Sequence, residues 1–233
     1  MCLNASYDER NGGEMTRTIL ATGFSVFPGA PENPTAWAME ELGRSGWQPN
    51  GARLATRTVP VQFDLWERTY QPLLAAIKPD AVIAFGLSAK AQGMTLESTA
   101  RNRVAADRPD FTGTCSPGDC VSIGGPAVRP TRLPLREISI ALRKADVPVA
   151  RSDNAGDYLC NLLFYRLMEH AETGGPLVAG FVHVPYLETQ ARRLIAAGAI
   201  ADGVFTLSDE QLLQGVRTVI ETCAGALNDV RGV

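Results

Sequence analysis

The segment SDNAGDYLCN (Ser152–Asn161) joins a strand pattern to a helix pattern and places Cys160 at the junction. The strand pattern VPVARSD (Val147–Asp153) leads into the turn Asn154–Gly156, and the amphipathic segment YLCNLLFYRLMEH follows at once. The first N–H groups of a helix lack intrahelical acceptors, and the helix dipole favours an anion there. A thiol in this position ionises more readily, and the thiolate is the nucleophile. The alternative is an inert core cysteine, which is the commoner role in an apolar helix.

The chain has two histidines, and His183 is the better candidate for the base that such a thiol needs. It lies in the apolar run Leu177–Val184, which predicts a buried strand ended by Pro185. Because this strand follows the cysteine helix directly, we expect the two elements to pack together. An imidazole can accept the thiol proton near neutral pH. The alternative is a satisfied core histidine, and His170 is expected in a solvated last turn of the helix.

Strand and helix patterns alternate along the chain and predict an α/β fold. Predicted strands cover residues 16–21, 52–59, 80–85, 147–152 and 177–184, and predicted helices cover 34–43, 64–77, 135–145, 156–171 and 208–227. A capping box, SDEQ, opens the last helix. The alternation predicts a three-layer α/β/α sandwich around a mixed, mostly parallel sheet, with functional residues near the carboxyl ends of strands. Residues 103–130 lack this periodicity and form either an ordered substrate loop or a mobile lid.

Composition limits the classes of function. The 233 residues are 45% hydrophobic with a net charge of −3, which argues against a nucleic-acid partner. The basic stretch 129–143 is expected to be a solvated helix face, and no apolar run reaches the length of a membrane span.

Five scattered cysteines favour a reducing cytoplasm. Cys115 and Cys120 lack nearby partners in sequence for a metal site, although they could form a local disulfide under oxidation. Residues 1–15 lack the apolar core of a signal peptide, so we expect a disordered tail, with Met15 a candidate start.

Two further stretches follow predicted strands, where a site is expected. In TGFSVFPGAPENPT (22–35), Phe24 and Phe27 are either a lid on the core or the walls of a small apolar pocket. Asn33 precedes a proline and is either a helix N-cap or a hydrogen-bond donor to a ligand. In GLSAKAQGMTLESTARN (86–102), Glu97 lies in an alternating pattern. It is either a solvated strand residue or an inward carboxylate that orients an imidazole.

Taken together, four blocks in this order resemble the type I pyroglutamyl peptidases, which are cytosolic cysteine peptidases that remove an N-terminal 5-oxoproline from peptides. The blocks are TGFSVFPGAPENPT, GLSAKAQGMTLESTARN, SDNAGDYLCNLLFY and GFVHVP, and the match spans residues 16 to about 227. The resemblance implies a phosphorylase/hydrolase-like α/β/α fold and a single catalytic domain over residues 16–233. It also implies a catalytic triad of Glu97, Cys160 and His183.

The resemblance further implies how substrate is held. Phe24 and Phe27 would sandwich the pyroglutamyl ring, and Asn33 corresponds to the family's asparagine. The implied partner is a peptide with an N-terminal pyroglutamate, hydrolysed through a thioester without metal or organic cofactor. A homo-oligomer, either a dimer or a tetramer, is expected.

The chain departs from the family pattern at residues 87–90 and at Ser98, where a basic residue is usual. These departures leave two alternatives: a related cysteine hydrolase with a changed substrate pocket, or an inactive binding homologue.

Overall fold

The fold was obtained as a computed structural model, which describes residues 16–27 and 30–229. The tail predicted at residues 1–15 lies outside the described residues. The strands are β1 (Arg17–Phe24), β2 (Ala52–Val59), β3 (Ala81–Leu87), β4 (Met94–Glu97), β5 (Thr99–Arg101), β6 (Val128–Pro130), β7 (Val149–Ser152), β8 (Val178–Val184), β9 (Tyr186–Leu187) and β10 (Thr206–Leu207). The helices are α1 (Pro34–Ser45), α2 (Gln71–Ile77), α3 (Leu135–Lys144), α4 (Leu159–Glu172), α5 (Glu188–Ala196) and α6 (Asp209–Asp229).

Six strands form the central sheet, in the order β2-β1-β3-β8-β4-β7. The first four are parallel to one another, whereas β4 runs antiparallel to β8 and parallel to β7. The sheet is therefore mixed and mostly parallel, as predicted, and all five predicted strands are confirmed. Strand β4 is not among them, because its four residues, MTLE, include only two apolar ones and do not stand out from the stretch 86–102 around them.

Helices cover both faces of the sheet and complete the three predicted layers. Helices α1, α3 and α6 share one apolar core with alternate strand residues such as Ile83 and Val182. Helices α2 and α4 share the other core with the residues between them, such as Val82 and Phe181. Because neighbouring strand residues point to opposite faces, each buried strand is apolar along nearly its whole length.

The five predicted helical regions are confirmed, with shifted ends. Region 64–77 contains a π-helical turn, Trp66–Tyr70, ahead of α2, and α5 was missed. The capping box of α6 forms in both directions: Ser208 Oγ accepts from the Gln211 N–H at 3.1 Å, and Gln211 Oε1 accepts from the Ser208 N–H at 3.2 Å. Helix α4 begins three residues later than predicted, because Gly156 has a φ of 85° and Tyr158 is extended.

The expectation that Arg129 belongs to a solvated helix face is wrong. Arg129 lies on β6, is 6% exposed, and forms ion pairs with Glu169 and Glu172 of α4. Its guanidinium also lies 4.9 Å from the centre of the Tyr165 ring. His170 is likewise not fully solvated, since its half-buried ring packs edge-on against another aromatic ring, that of Trp66.

Side chains fold the segment 103–130 onto the domain. The Asn102 side chain accepts from the N–H groups of Val121 and Ser122 and donates to the carbonyls of Ser122 and Gly125. Asp110 accepts from the Phe63 N–H, which ties the middle of the segment to the residues after β2. The structure therefore shows an ordered loop. In the part of the chain described, no helix is long and apolar enough to cross a membrane.

Candidate active site

A buried hydrogen bond joins His183 to Glu97, although the two residues are far apart in sequence. His183 Nδ1 lies 2.7 Å from Glu97 Oε1. His183 is 6% exposed and Glu97 is 2% exposed. A carboxylate can only accept, so Nδ1 carries a proton and donates it, which leaves Nε2 as the ring nitrogen for Cys160.

Sheet register explains why these two side chains meet. In the antiparallel pairing of β4 with β8, His183 lies directly opposite Thr95. Glu97 is two residues further along β4, so it shares a face with His183 and is its diagonal neighbour. A glutamate side chain is long enough to span that diagonal. Of the two interpretations of Glu97, the structure therefore agrees with the inward carboxylate. Within the described residues, its second oxygen, Oε2, is buried without a hydrogen-bond partner.

Cys160 is the second residue of α4 and is half-buried at the same cavity as His183. The residue before the helix, Tyr158, provides no side-chain cap. The first N–H groups of α4 are therefore left without a capping side chain, beside the thiol. This end of the helix favours a thiolate and can donate hydrogen bonds to a second anion beside it.

Gly86 provides the space in which the thiol sits. It is the β3 residue paired with His183, and a Cβ atom added to it would lie 3.0 Å from Cys160 Sγ. The same Cβ would lie 2.7 Å from Cζ of Phe181, whose ring packs 4.9 Å from the His183 ring. Any larger residue at this position would displace either the Cys160 thiol or the Phe181 ring that packs against the imidazole. Sequence reasoning did not identify this role, because a glycine in an apolar strand has no periodic signature.

Two residues beside the thiol hold the start of α4 in place, and sequence reasoning missed both. Asn161 is fully buried and makes three hydrogen bonds, to the N–H and carbonyl of Arg101 and to the carbonyl of Arg103. The Tyr158 hydroxyl donates to the Pro109 carbonyl at 2.7 Å. Cys160 is therefore flanked by anchors to β5 and to the ordered loop. A polar asparagine inside an otherwise apolar helical face was the available signal for the first of them.

The surroundings of His183 favour its charged form. Burial acts to lower the pKa of His183, but hydrogen bonding and charge interactions with Cys160 and Glu97 outweigh burial and raise it to about 9. An imidazole held beside the thiol can accept its proton and return it, which is the role of the base in a Cys–His pair.

The predicted pocket residues line the same cavity, which has a volume of about 600 Å³. Phe24 is 4% exposed and packs against Phe181, while Phe27 is half-buried. Asn33 is the N-cap of α1: its Oδ1 accepts from the Thr35 N–H at 3.0 Å, and its Nδ2 donates to the Ser25 carbonyl at 3.1 Å. An amide nitrogen has two hydrogens, so one remains besides the hydrogen bonded to Ser25.

Cys115 and Cys120 lie in the ordered loop as free thiols. They border a second cavity of about 370 Å³, which does not include Cys160. In the described part of the chain, no group of three metal-ligating side chains comes together.

The site contains a thiol at a helix N-terminus, an imidazole beside it and a carboxylate bonded to the imidazole. These three groups can carry out nucleophilic hydrolysis, which places the protein among cysteine-type hydrolases. Comparison with known proteins narrows this class. Residues 17–226 match the family model described as pyroglutamyl peptidase. The chain is 34% identical over 215 residues to pyrrolidone-carboxylate peptidase 1 of Ralstonia nicotianae, covering 92% of this chain and 96% of that one.

Solved structures agree. A mutant pyrrolidone carboxyl peptidase from Pyrococcus furiosus superposes with a TM-score of 0.82 at 30% identity, over 90% of this chain and 99% of that one. Pyroglutamyl peptidase I from Bacillus amyloliquefaciens superposes with a TM-score of 0.79 at 29% identity, over 90% and 97%. The chain belongs to the pyroglutamyl peptidase family, and the resemblance stated from its sequence is confirmed.

Replacing Gly86 with alanine tests the space beside the thiol. The added Cβ meets Phe181 and Cys160 Sγ, so we expect Gly86→Ala to destabilise the fold by about 1–3 kcal/mol, the usual cost of overpacking. We also expect slower alkylation of Cys160, because the thiol must move. Urea denaturation and the rate of iodoacetamide labelling measure the two effects. The control is Gly225→Ala, where a Cβ meets open space; equal effects in both variants would contradict the argument.

The raised pKa of His183 predicts an alkaline limit to reactivity. The imidazolium form of His183 stabilises the folded protein through its interactions with its partners. This contribution to stability is fully present below the ordinary histidine pKa and is lost as pH rises through about 9. Glu97→Gln removes the charge that helps hold this proton, so we expect the alkaline limb of the kcat/KM profile to move to lower pH. Profiles measured from roughly pH 5 to 10 report the macroscopic pKa values of the pair. An unmoved alkaline limb would show that Glu97 does not act on the imidazole.

Proposed function

We propose that this protein is a cysteine-type pyroglutamyl peptidase, a hydrolase that cleaves the amide bond after an N-terminal pyroglutamyl residue. The buried Glu97–His183 hydrogen bond beside Cys160, at the start of α4, is the observation that carries the proposal. Membership of the pyroglutamyl peptidase family supports the choice of substrate.

In the proposed reaction, Cys160 is the nucleophile. Its thiolate attacks the carbonyl carbon of the pyroglutamyl residue, and the carbonyl oxygen becomes an oxyanion. The Cys160 N–H lies in the uncapped first turn of α4 and is the candidate donor to that oxyanion. The amide C–N bond then breaks, and His183 Nε2 gives its proton to the leaving amine. The product of this half-reaction is a thioester on Sγ and a peptide with a free amino group.

Water completes the reaction. His183 takes a proton from a water molecule, which attacks the thioester carbonyl, and the C–S bond breaks to release pyroglutamate and the thiolate. Throughout, Glu97 holds the Nδ1–H and keeps the ring in one orientation. Each step is a proton transfer or an acyl transfer that these three side chains and water can supply.

The proposed ring site suits an uncharged lactam. Pyroglutamate has no free α-amine, so an ammonium-binding carboxylate would be of no use to it. Phe24 and Phe27 line the cavity and supply flat apolar surface, and the second Nδ2 hydrogen of Asn33 can reach a lactam carbonyl. A polar partner of this kind contributes strongly to specificity, because losing it leaves a buried group unpaired.

We propose three further properties. Residues 16–233 form one catalytic domain, supported by the extent of the family match. The protein is cytoplasmic, supported by cysteines that are free thiols in the described chain. It is a homo-oligomer, either a dimer or a tetramer, supported by the family resemblance.

Replacing the nucleophile gives the first test of the function. We expect wild type to hydrolyse pyroglutamyl-aminomethylcoumarin under reducing conditions and Cys160→Ala to show no turnover, because no thioester can form. Cys223→Ala is the matched control: Cys223 is fully buried in α6, away from the cavity, so this variant should keep turnover despite some loss of stability. Full activity in Cys160→Ala would exclude the assigned nucleophile, and an inactive wild type would exclude the substrate class.

Replacing Phe27 tests the ring site. Phe27→Ala removes one apolar wall, so we expect kcat/KM for the coumarin substrate to fall roughly tenfold, mostly through KM, as expected for one aromatic stacking contact. Phe27 is chosen over Phe24 because it is only half-buried, and its loss disturbs the core less. Phe205→Ala, an exposed phenylalanine outside the cavity, is the control. Equal kinetics in both variants would remove Phe27 from the pocket.

A further inference from the structure

Two exposed cations, Lys90 and Arg108, line the active-site cavity, and the reaction described above uses neither of them. We propose that this pair, here called the cationic rim, binds a carboxylate in the leaving portion of the substrate. The carboxylate is either the side chain of an acidic residue directly after pyroglutamate or the free C-terminus of a pyroglutamyl dipeptide. This inference rests on the proposed function and adds a substrate preference to it.

Backbone hydrogen bonds around Lys90 hold it close to β8, the strand that carries His183. It follows β3 in a tight turn, in which the Ala91 N–H donates to the Ser88 carbonyl at 3.0 Å. The Ser88 N–H donates in turn to the carbonyl of Val184, the residue after His183, at 2.9 Å. The flexible side chain of Lys90 therefore starts from a backbone position fixed against the strand that carries the imidazole.

Arg108 is held on the start of the cysteine helix. Its guanidinium carbon lies 4.1 Å from the centre of the Tyr158 ring, and the Tyr158 hydroxyl donates to the carbonyl of the next residue, Pro109. Nearby, the Ala105 N–H donates to the Asp157 carbonyl at 2.6 Å. Since Tyr158 stands two residues before Cys160, this cation is attached to the element that carries the nucleophile. A guanidinium stacked on a ring keeps its N–H donors available for a carboxylate.

Neither cation is neutralised by a protein carboxylate within ion-pairing distance, as far as the described residues go. Two acidic residues line the same cavity. Glu97 is buried and committed to His183. Asp157 lies just before α4, where the positive end of the helix dipole offsets part of its charge. The rim thus presents positive charge at the mouth of the cavity.

Substrate chemistry decides which part of the peptide this charge meets. The pyroglutamyl ring is an uncharged lactam, and no residue precedes it. Any anion near the scissile bond must therefore belong to the leaving portion. The nearest positions are the side chain and the terminal carboxylate of the residue directly after the bond, both within a few bonds of the carbonyl that Cys160 attacks. Positive charge at the mouth also speeds the approach of an anionic peptide to a protein whose net charge is −3.

The test compares substrates that differ only in charge. The first pair is pyroglutamyl-glutamate amide against pyroglutamyl-glutamine amide, and the second is pyroglutamyl-alanine against its amide. For wild type we expect kcat/KM to favour the anionic member of at least one pair by roughly two- to tenfold, the size expected of one or two exposed ion pairs. The first pair reports a side-chain carboxylate and the second a terminal one. The preference should decline as salt approaches ~1 M, where screening acts over about 3 Å.

Variants assign the preference to the rim. Lys90→Met, which keeps the length of the side chain and removes its charge, should reduce the anionic-to-neutral ratio toward one, and Lys90→Glu should bring it below one. Lys144→Met removes another exposed lysine, at the end of α3 and outside the cavity, and should leave the ratio as in wild type. Because the readout is a ratio within one variant, a general loss of folding or activity cancels.

The outcomes separate the two proposals. Failure of wild type to cleave any of the four substrates would overturn the proposed function, and the rim with it. Cleavage of all four with ratios of one would overturn the rim alone. If Lys90→Met lowered both members of each pair by the same factor, the cation would act on the reaction centre in general, and the inference would also be wrong.

Discussion

The hydrogen bond between Glu97 and His183 depends on the antiparallel pairing of β4 with β8. The parallel strands β3 and β8 bring Gly86 and His183 side by side at their carboxyl ends, but neither strand carries an acid there. Strand β4 enters beside β8 in the antiparallel sense and brings Glu97 diagonally opposite the imidazole. A parallel β4 with Thr95 still opposite His183 would instead place Glu97 opposite Pro185, beyond the end of β8. The acid and the base are thus positioned by backbone pairing, which is more rigid than a loop.

The nucleophile is positioned in a different way, by side chains that restrain the first turn of a helix. Asn161 bonds to the end of β5, and Tyr158 bonds to the ordered loop and lies beneath Arg108. These contacts replace a conventional N-cap, which would occupy the N–H groups beside Cys160. The helix forgoes the stabilisation of a cap and keeps its first donors for an anion. Sites commonly trade local stability for such uncommitted groups.

Charge in the cavity is arranged by depth. At the bottom, the Glu97 carboxylate and the Cys160 thiol both favour the imidazolium and raise the pKa of His183 to about 9 against the effect of burial. At the mouth, Lys90 and Arg108 are exposed to water and salt. Interactions at the bottom are little screened and set the chemistry, whereas those at the mouth are weak individually and act on substrate choice.

The sequence by itself determined the three layers, five of the six strands of the central sheet and five helical regions, because amphipathic helices show a period of 3.6 and buried strands show apolar runs. It also identified Cys160 and His183 as the candidate nucleophile and base, because the strand, turn and helix patterns around them lie within one continuous stretch of the chain. The partner of the imidazole, the space left by Gly86 and the burial of Arg129 depended on contacts between residues distant in the chain. The alternating residues of β4 left open whether Glu97 faces solvent or the interior, and a glycine carries no side chain from which a role could be inferred. Only the tertiary structure decided these points, because strand order and direction are set by packing of the whole sheet and not by any one segment.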